Sequence, residues 1–155
     1  MISLTELFTL LTEYVPNQPA SELLEECRAQ MKEIPYVDFG IDKNMPATVR
    51  GYEFTFKTDD EIPVMLEIHD SKGITLQGSF RIVYPGARSS EVFKDHLNIL
   101  LQIAEDSISK GKLSKVRDVD MYTFSNDKLL VIISTSSFND QDVITVTVGN
   151  EPMWG

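Results

Sequence analysis

Ser89–Lys110, SSEVFKDHLNILLQIAEDSISK, carries the clearest periodicity in the chain. Phe93, Leu97, Leu100, Leu101, Ala104 and Ile108 recur at the spacing of one helix face. Val92, Ile99 and Ile103 form a second stripe beside the first. Together the stripes cover about half of a 3.6-residue circumference. Lys94, Asp95, Asn98, Gln102, Glu105 and Asp106 hold the polar remainder. So broad an apolar arc predicts a helix packed on two neighbours, a sheet and another helix. Ser89 or Ser90 is the candidate cap, with Glu91 at the positive dipole end. Gly111 marks the stop, and Lys110 and Lys112 sit at the negative end.

On the N-terminal side of this helix the period is two. Tyr52, Phe54 and Phe56 alternate with polar residues, as do Val64, Leu66 and Ile68, and then Leu76, Phe80, Ile82 and Tyr84. Thr58-Asp59-Asp60-Glu61 reads as one turn. Ser71-Lys72-Gly73 reads as a three-residue hairpin loop with Gly73 left-handed. That register sets Glu67 opposite Gln77 and His69 opposite Thr75 on the polar face. The whole predicts a three-stranded antiparallel meander with one apolar face.

On the C-terminal side a basic link, Lys110 to Arg117, leads to a second meander with strands near 117–124, 128–136 and 142–149. Leu129–Ile133 is apolar on both faces and reads as a central strand covered on both sides. The last strand alternates Ile144, Val146 and Val148 with threonines and reads as half exposed.

The N-terminus opens with a capping box, Ser3-Leu4-Thr5-Glu6, ahead of an amphipathic helix that ends before Pro16. A second helix starts at Pro19, carries Leu23, Leu24, Cys27, Met31 and Ile34 on one face, and stops at Pro35. The short connection makes the two a helical hairpin. The fold class that follows is α+β. It has an antiparallel sheet of about six strands in two three-stranded meanders, an N-terminal helical hairpin and one long central helix. The hairpin is expected to cover part of the sheet's other side. All 155 residues are expected to form one globular domain.

The formal net charge is −10, unevenly spread. Residues 1–70 hold 14 acids and 5 bases, whereas residues 71–155 hold 10 acids and 9 bases. Such a balance disfavours nucleic acid and anionic membrane, which need lysine and arginine to neutralise phosphate. It favours a basic protein partner and speeds the encounter. No apolar run reaches the length of a membrane span, and MISLTELF lacks the basic start of a signal peptide, so a cytoplasmic address is expected.

Chemistry-bearing patterns are few. A single cysteine, Cys27, excludes an internal disulfide and a zinc site built on cysteine pairs. It lies on an apolar helix face beside Glu25 and Glu26, which raise a thiol pKa. No serine stands in a Gly-x-Ser-x-Gly elbow, and the glycines match no phosphate-binding loop. Asp42-x-Asn44 with Glu53 imitates the spacing of a calcium loop. Ala47 stands where the glycine belongs, however, and Pro46 replaces a ligand. Asp59-Asp60-Glu61 and Asp118-x-Asp120 are ordinary turn acids. His96 falls between the two stripes of the long helix and reads as a half-buried, hydrogen-bonded core histidine. His69 lies beside Glu67 on the polar strand face, a possible base and carboxylate pair if a pocket exists there.

With no catalytic set, no cofactor and no metal site legible, a non-enzymatic protein-binding module is the leading expectation. An acidic inhibitor of the immunity type fits, neutralising a basic toxin or effector enzyme. A secretion chaperone fits the same charge and size. The expected partner-binding acids are Asp59, Asp60, Glu61 and Glu67, then Glu22, Glu25 and Glu26; loop tips reach partners most easily. A small enzyme or ligand-binding domain is the competitor, with Tyr52, Phe54, Tyr84 and His96 lining a pocket between sheet and helices. A homodimer through an exposed edge at 142–149 is a third possibility.

Overall fold

The structure is a computed structural model and describes residues 2–15, 18–34, 49–85, 90–138 and 140–150. Among these the chain runs α1 (Leu4–Tyr14), α2 (Ala20–Gln30), β1 (Lys32–Ile34), β2 (Val49–Lys57), β3 (Pro63–Ser71), β4 (Ile74–Pro85), α3 (Ser90–Ser107), β5 (Lys112–Val116), β6 (Val119–Ser125), β7 (Leu129–Phe138) and β8 (Gln141–Asn150). The strands form one antiparallel sheet in the order β1-β2-β3-β4-β8-β7-β6-β5. Two four-stranded meanders therefore meet along a single seam, β4 against β8. The α+β class stands, with eight strands in place of about six.

Each meander gains a strand that periodicity does not mark. The face that extends α2 to Ile34 stops at Gln30, where Met31 turns extended, and Lys32–Ile34 pairs with β2. The link at 110–117 contains β5, which pairs with β6 through Leu113↔Tyr122 and Lys115↔Asp120. The 142–149 segment is not an edge. It lies inside β8, hydrogen-bonded to β4 on one side and β7 on the other, and an edge-to-edge dimer through it is corrected accordingly.

The β3–β4 register also differs from expectation. Lys72 and Gly73 both take positive φ, 53° and 82°, so a two-residue turn closes on Ser71↔Ile74. A bulge then shifts the ladder between His69 and Asp70. Beyond it His69 faces Gln77 and Glu67 faces Ser79.

The helices share one face of the sheet. The capping box of α1 forms as its sequence predicts, with the Ser3 hydroxyl accepting from Glu6 N–H and the Ser3 N–H donating to the Glu6 carboxylate. Leu7, Phe8 and Leu11 of α1 are fully buried, as are Leu23 and Cys27 of α2 and Leu100 and Ala104 of α3. They join Phe54, Leu66, Ile68, Phe80, Ile82, Val131, Ile133, Ile144, Val146 and Val148 in one core. The helix α3 packs on α1 and on β6, β7 and β8, the two kinds of neighbour its wide arc requires. Of its two candidate caps, Ser90 is the first residue of the helix and Ser89 lies outside the described residues. Both N-terminal helices thus add to the covered face, and among the described residues no helix lies on the opposite, open face. There Leu130 and Ile132 of β7 stay only half-buried, beside serine and threonine rows.

Candidate functional site

The connection between β2 and β3 is a tight turn held from within. Thr58 N–H donates to the Ile62 carbonyl at 2.9 Å, Glu61 N–H donates to the Thr58 carbonyl at 2.9 Å, and Ile62 N–H donates to the buried Thr58 hydroxyl at 3.2 Å. Glu61 takes a positive φ of 63°, which closes the loop. Asp59, Asp60 and Glu61 are therefore displayed at a fixed point, with Glu61 3.8 Å from Lys57.

A relay ties this turn to α3. The Asp60 carboxylate lies 3.2 Å from His96 Nε2, and His96 Nδ1 lies 2.7 Å from the Tyr84 hydroxyl. A carboxylate only accepts, so a neutral His96 carries its proton on Nε2 and accepts at Nδ1 from Tyr84. His96 is buried, as its place between the stripes implies, and Tyr84 is almost fully so. Burial, with the Asp60 charge behind it, pushes the Tyr84 phenol well above its ordinary pKa, so it serves as a donor and not as a nucleophile. Phe93 meets the Tyr84 ring edge-on at 5.3 Å and fixes its plane.

Beside the relay lies a hollow of about 170 Å³, lined by Ile2, Ser3, Leu4, Thr5, Thr58, Asp59, Asp60, His96 and Ile99. Ile99 is 47% exposed, although it belongs to the second apolar stripe of α3. The site thus combines an apolar wall with two carboxylates at its rim.

The other expected acids lie elsewhere. Glu67 is on the open face, hydrogen-bonded to His69 Nε2 at 3.1 Å. That hydrogen bond, outweighing partial burial and aided by Arg81, holds its carboxyl below the usual range. Sequence pairing of Glu67 with His69 is thereby matched in geometry, and Glu67 and Arg81 line a hollow of about 200 Å³ with Glu53, Met65, Leu66, Ser79 and Thr145. Glu22, Glu25 and Glu26 are exposed on α2. The start of α2 is anchored at the opposite end of β3, where Ala20 N–H donates to the Gly73 carbonyl. Tyr14 feels that group: burial first, then Glu22, Glu13 and Glu26, raise its pKa. The seven acids accordingly occupy three separate surfaces.

The aromatic pocket between sheet and helices does not take the expected form. Phe54 is wholly buried in the core, and neither it nor Tyr52 lines either hollow. Cys27 is fully buried, and burial together with Glu26 pushes its thiol up to about 12, which leaves it inert at neutral pH. Asp42 and Asn44 lie outside the described residues, among which no cluster suited to a metal ion occurs.

Two further buried polar residues stand at the β3–β4 bulge. Asp70 and Thr75 face each other at the bulge, and Asp70 Oδ1 and Thr75 Oγ1 have no hydrogen-bond partner among the described residues. The bulge turns Thr75 inward, out of phase with Gly78, Phe80 and Ile82, whereas Asp70 continues the buried alternation of Val64, Leu66 and Ile68. The Asp60–His96 contact was illegible in the sequence, since it joins a turn to a helix 36 residues away.

No protein-family model matches the chain, and no curated protein or solved structure matches it. Among the described residues no helix is long and apolar enough to cross a membrane.

Proposed function

We propose that the chain is a non-enzymatic protein-binding module, an acidic inhibitor of the immunity type that neutralises a basic toxin or effector enzyme. One observation carries the reading: the acidic turn stands at the rim of a hollow whose wall includes the exposed Ile99. Such a site suits a lysine or arginine side chain, its stem on Ile99 and its head between Asp59 and Asp60. The relay through His96 holds the turn before any partner arrives, which lowers the ordering cost of binding. The net charge of −10 adds long-range attraction. A secretion chaperone would use the same surface, and the partner's identity separates the two roles.

The test begins with affinity capture from the native cell, followed by association kinetics with the captured protein. Asp59→Lys with Glu61→Lys leaves the relay intact and should slow association about tenfold at low salt, the difference shrinking as salt rises. Ile99→Asp should act mainly on dissociation. An association rate indifferent to the charge reversal would remove the turn from the interface.

A second reading rests on the open face. Arg81, Glu53, Glu67 and Ser79 converge on the hollow of about 200 Å³ there, a set able to hold a small polar ligand. Arg81→Ala would abolish such binding and leave the turn-dependent association untouched.

A further inference from the structure

The free edge of the sheet at β5 has a chemistry opposite to the rest of the molecule. Residues 110–117, KGKLSKVR, carry four bases and no acid. Every residue of β5 is exposed, and no described strand pairs with its outer side. Leu113 and Val116 are 62% and 55% exposed, more than any other large hydrophobic residue described.

The backbone is presented for pairing. Val116 pairs with Val119 across the two-residue turn Arg117-Asp118, with Arg117 at φ 58°. The closing pair of a two-residue hairpin is hydrogen-bonded, and alternation along the ladder follows from it. Val116, Ser114 and Lys112 therefore turn their N–H and C=O groups toward β6. Leu113 and Lys115 turn theirs outward. The pairing Leu113↔Tyr122↔Ile133 puts Leu113 on the helix-covered side, next to the half-buried Tyr122. Lys112 and Val116 lie on the open side.

We infer that β5 is a docking edge for an extended acidic segment of another protein, which adds to the sheet as a ninth strand. Backbone pairing to Leu113 and Lys115 supplies the affinity common to such additions. An apolar residue opposite Leu113 would extend the core beyond Tyr122, and acids on the segment would meet Lys110, Lys112 and Arg117. A second copy of this chain is disfavoured by the same charges. Antiparallel pairing of two β5 strands would bring both sets of four cations into one seam, where like charges across strands repel. The lysines thus guard the edge against self-association while attracting a strand of opposite sign. This surface is separate from the acidic turn, and the inference does not depend on the function proposed above.

A fluorescein-labelled nine-residue peptide alternating valine and glutamate serves as the probe, with a valine–lysine peptide as its control. The glutamate peptide should bind at β5, and the lysine peptide, even where it meets the acidic turn, should leave the Leu113 and Lys115 amides unprotected. Lys110→Glu with Lys112→Glu leaves the Lys115–Asp120 ion pair in place and should weaken binding about tenfold. Leu113→Asn, which changes no charge, should weaken it as well. Hydrogen exchange at the Leu113 and Lys115 amides should slow in the complex, while the β1 amides stay unchanged. Absence of binding, binding indifferent to both variants, or binding without protection of those two amides would overturn the inference. So would concentration-dependent dimerisation of the free protein that protects them.

Discussion

Two buried hydroxyls on β4, nine residues apart, should respond to removal with opposite signs. Tyr84 donates to His96 at 2.7 Å, whereas Thr75 Oγ1 is buried without a partner among the described residues. Tyr84→Phe strands His96 Nδ1 in a dry site and should cost about 1–3 kcal/mol, the penalty for an unpaired buried polar group. Thr75→Val keeps the β-branched shape and deletes only the unpaired hydroxyl, so it should stabilise by about 1 kcal/mol. Urea denaturation of both variants measures the pair. A destabilised Thr75→Val protein would show that the hydroxyl is satisfied after all. Much at this scale was legible in the sequence. His96 between two apolar stripes and Cys27 on an apolar face announce their burial by position on a helix. The partner of His96 does not announce itself, because a turn residue's side chain carries no period. Thr75 reads as solvated for a related reason: a bulge changes the register without a residue type that declares it, whereas Asp70 is buried by the plain alternation of β3.

At the scale of the element, helices and long strands were written in their periods, and short charged strands were not. The apolar spacing of α1, α2 and α3 and the alternation of β2, β3, β4 and β8 fix their type. Lys32–Ile34 and Lys112–Val116 are too short and too charged to alternate, since an edge strand buries little on either face. Gly78 shows how one residue seats a helix on the sheet. A Cβ there would stand 2.7 Å from Leu11 Cδ2, so the fully buried Leu11 side chain would have to shift within the core. Gly78→Ala should therefore cost about 1–3 kcal/mol by overpacking, although alanine suits a strand better than glycine. The cause can be isolated by a double-mutant cycle with Leu11→Ala, which opens the contact. In the Leu11→Ala background the added methyl should cost less than in the wild type. Equal costs in the two backgrounds would detach Gly78 from the seating of α1.

For the whole molecule the decisive feature is the seam, which no local pattern reveals. The two meanders are each legible as meanders, yet their junction pairs Ser79 with Thr147, 68 residues apart, instead of joining consecutive strands. Such an order follows from the path of α3, which carries the chain from β4 to the far edge so that β8 returns beside β4. Each meander alone would leave one face of its core strands short of cover, because α3 packs on the second meander and on α1 of the first. The two halves should consequently unfold as one unit. Phe80 tests this, since it is fully buried on β4 and faces Val146 across the seam. Phe80→Ala should cost about 3–5 kcal/mol. If the molecule is one cooperative unit, native-state hydrogen exchange will show the same loss at Leu66 in β3 and at Ile133 in β7. A loss confined to β2, β3 and β4, with Ile133 still protected as in the wild type, would mean that the second meander stands alone. The seam would then be a contact between two bodies and not the spine of one.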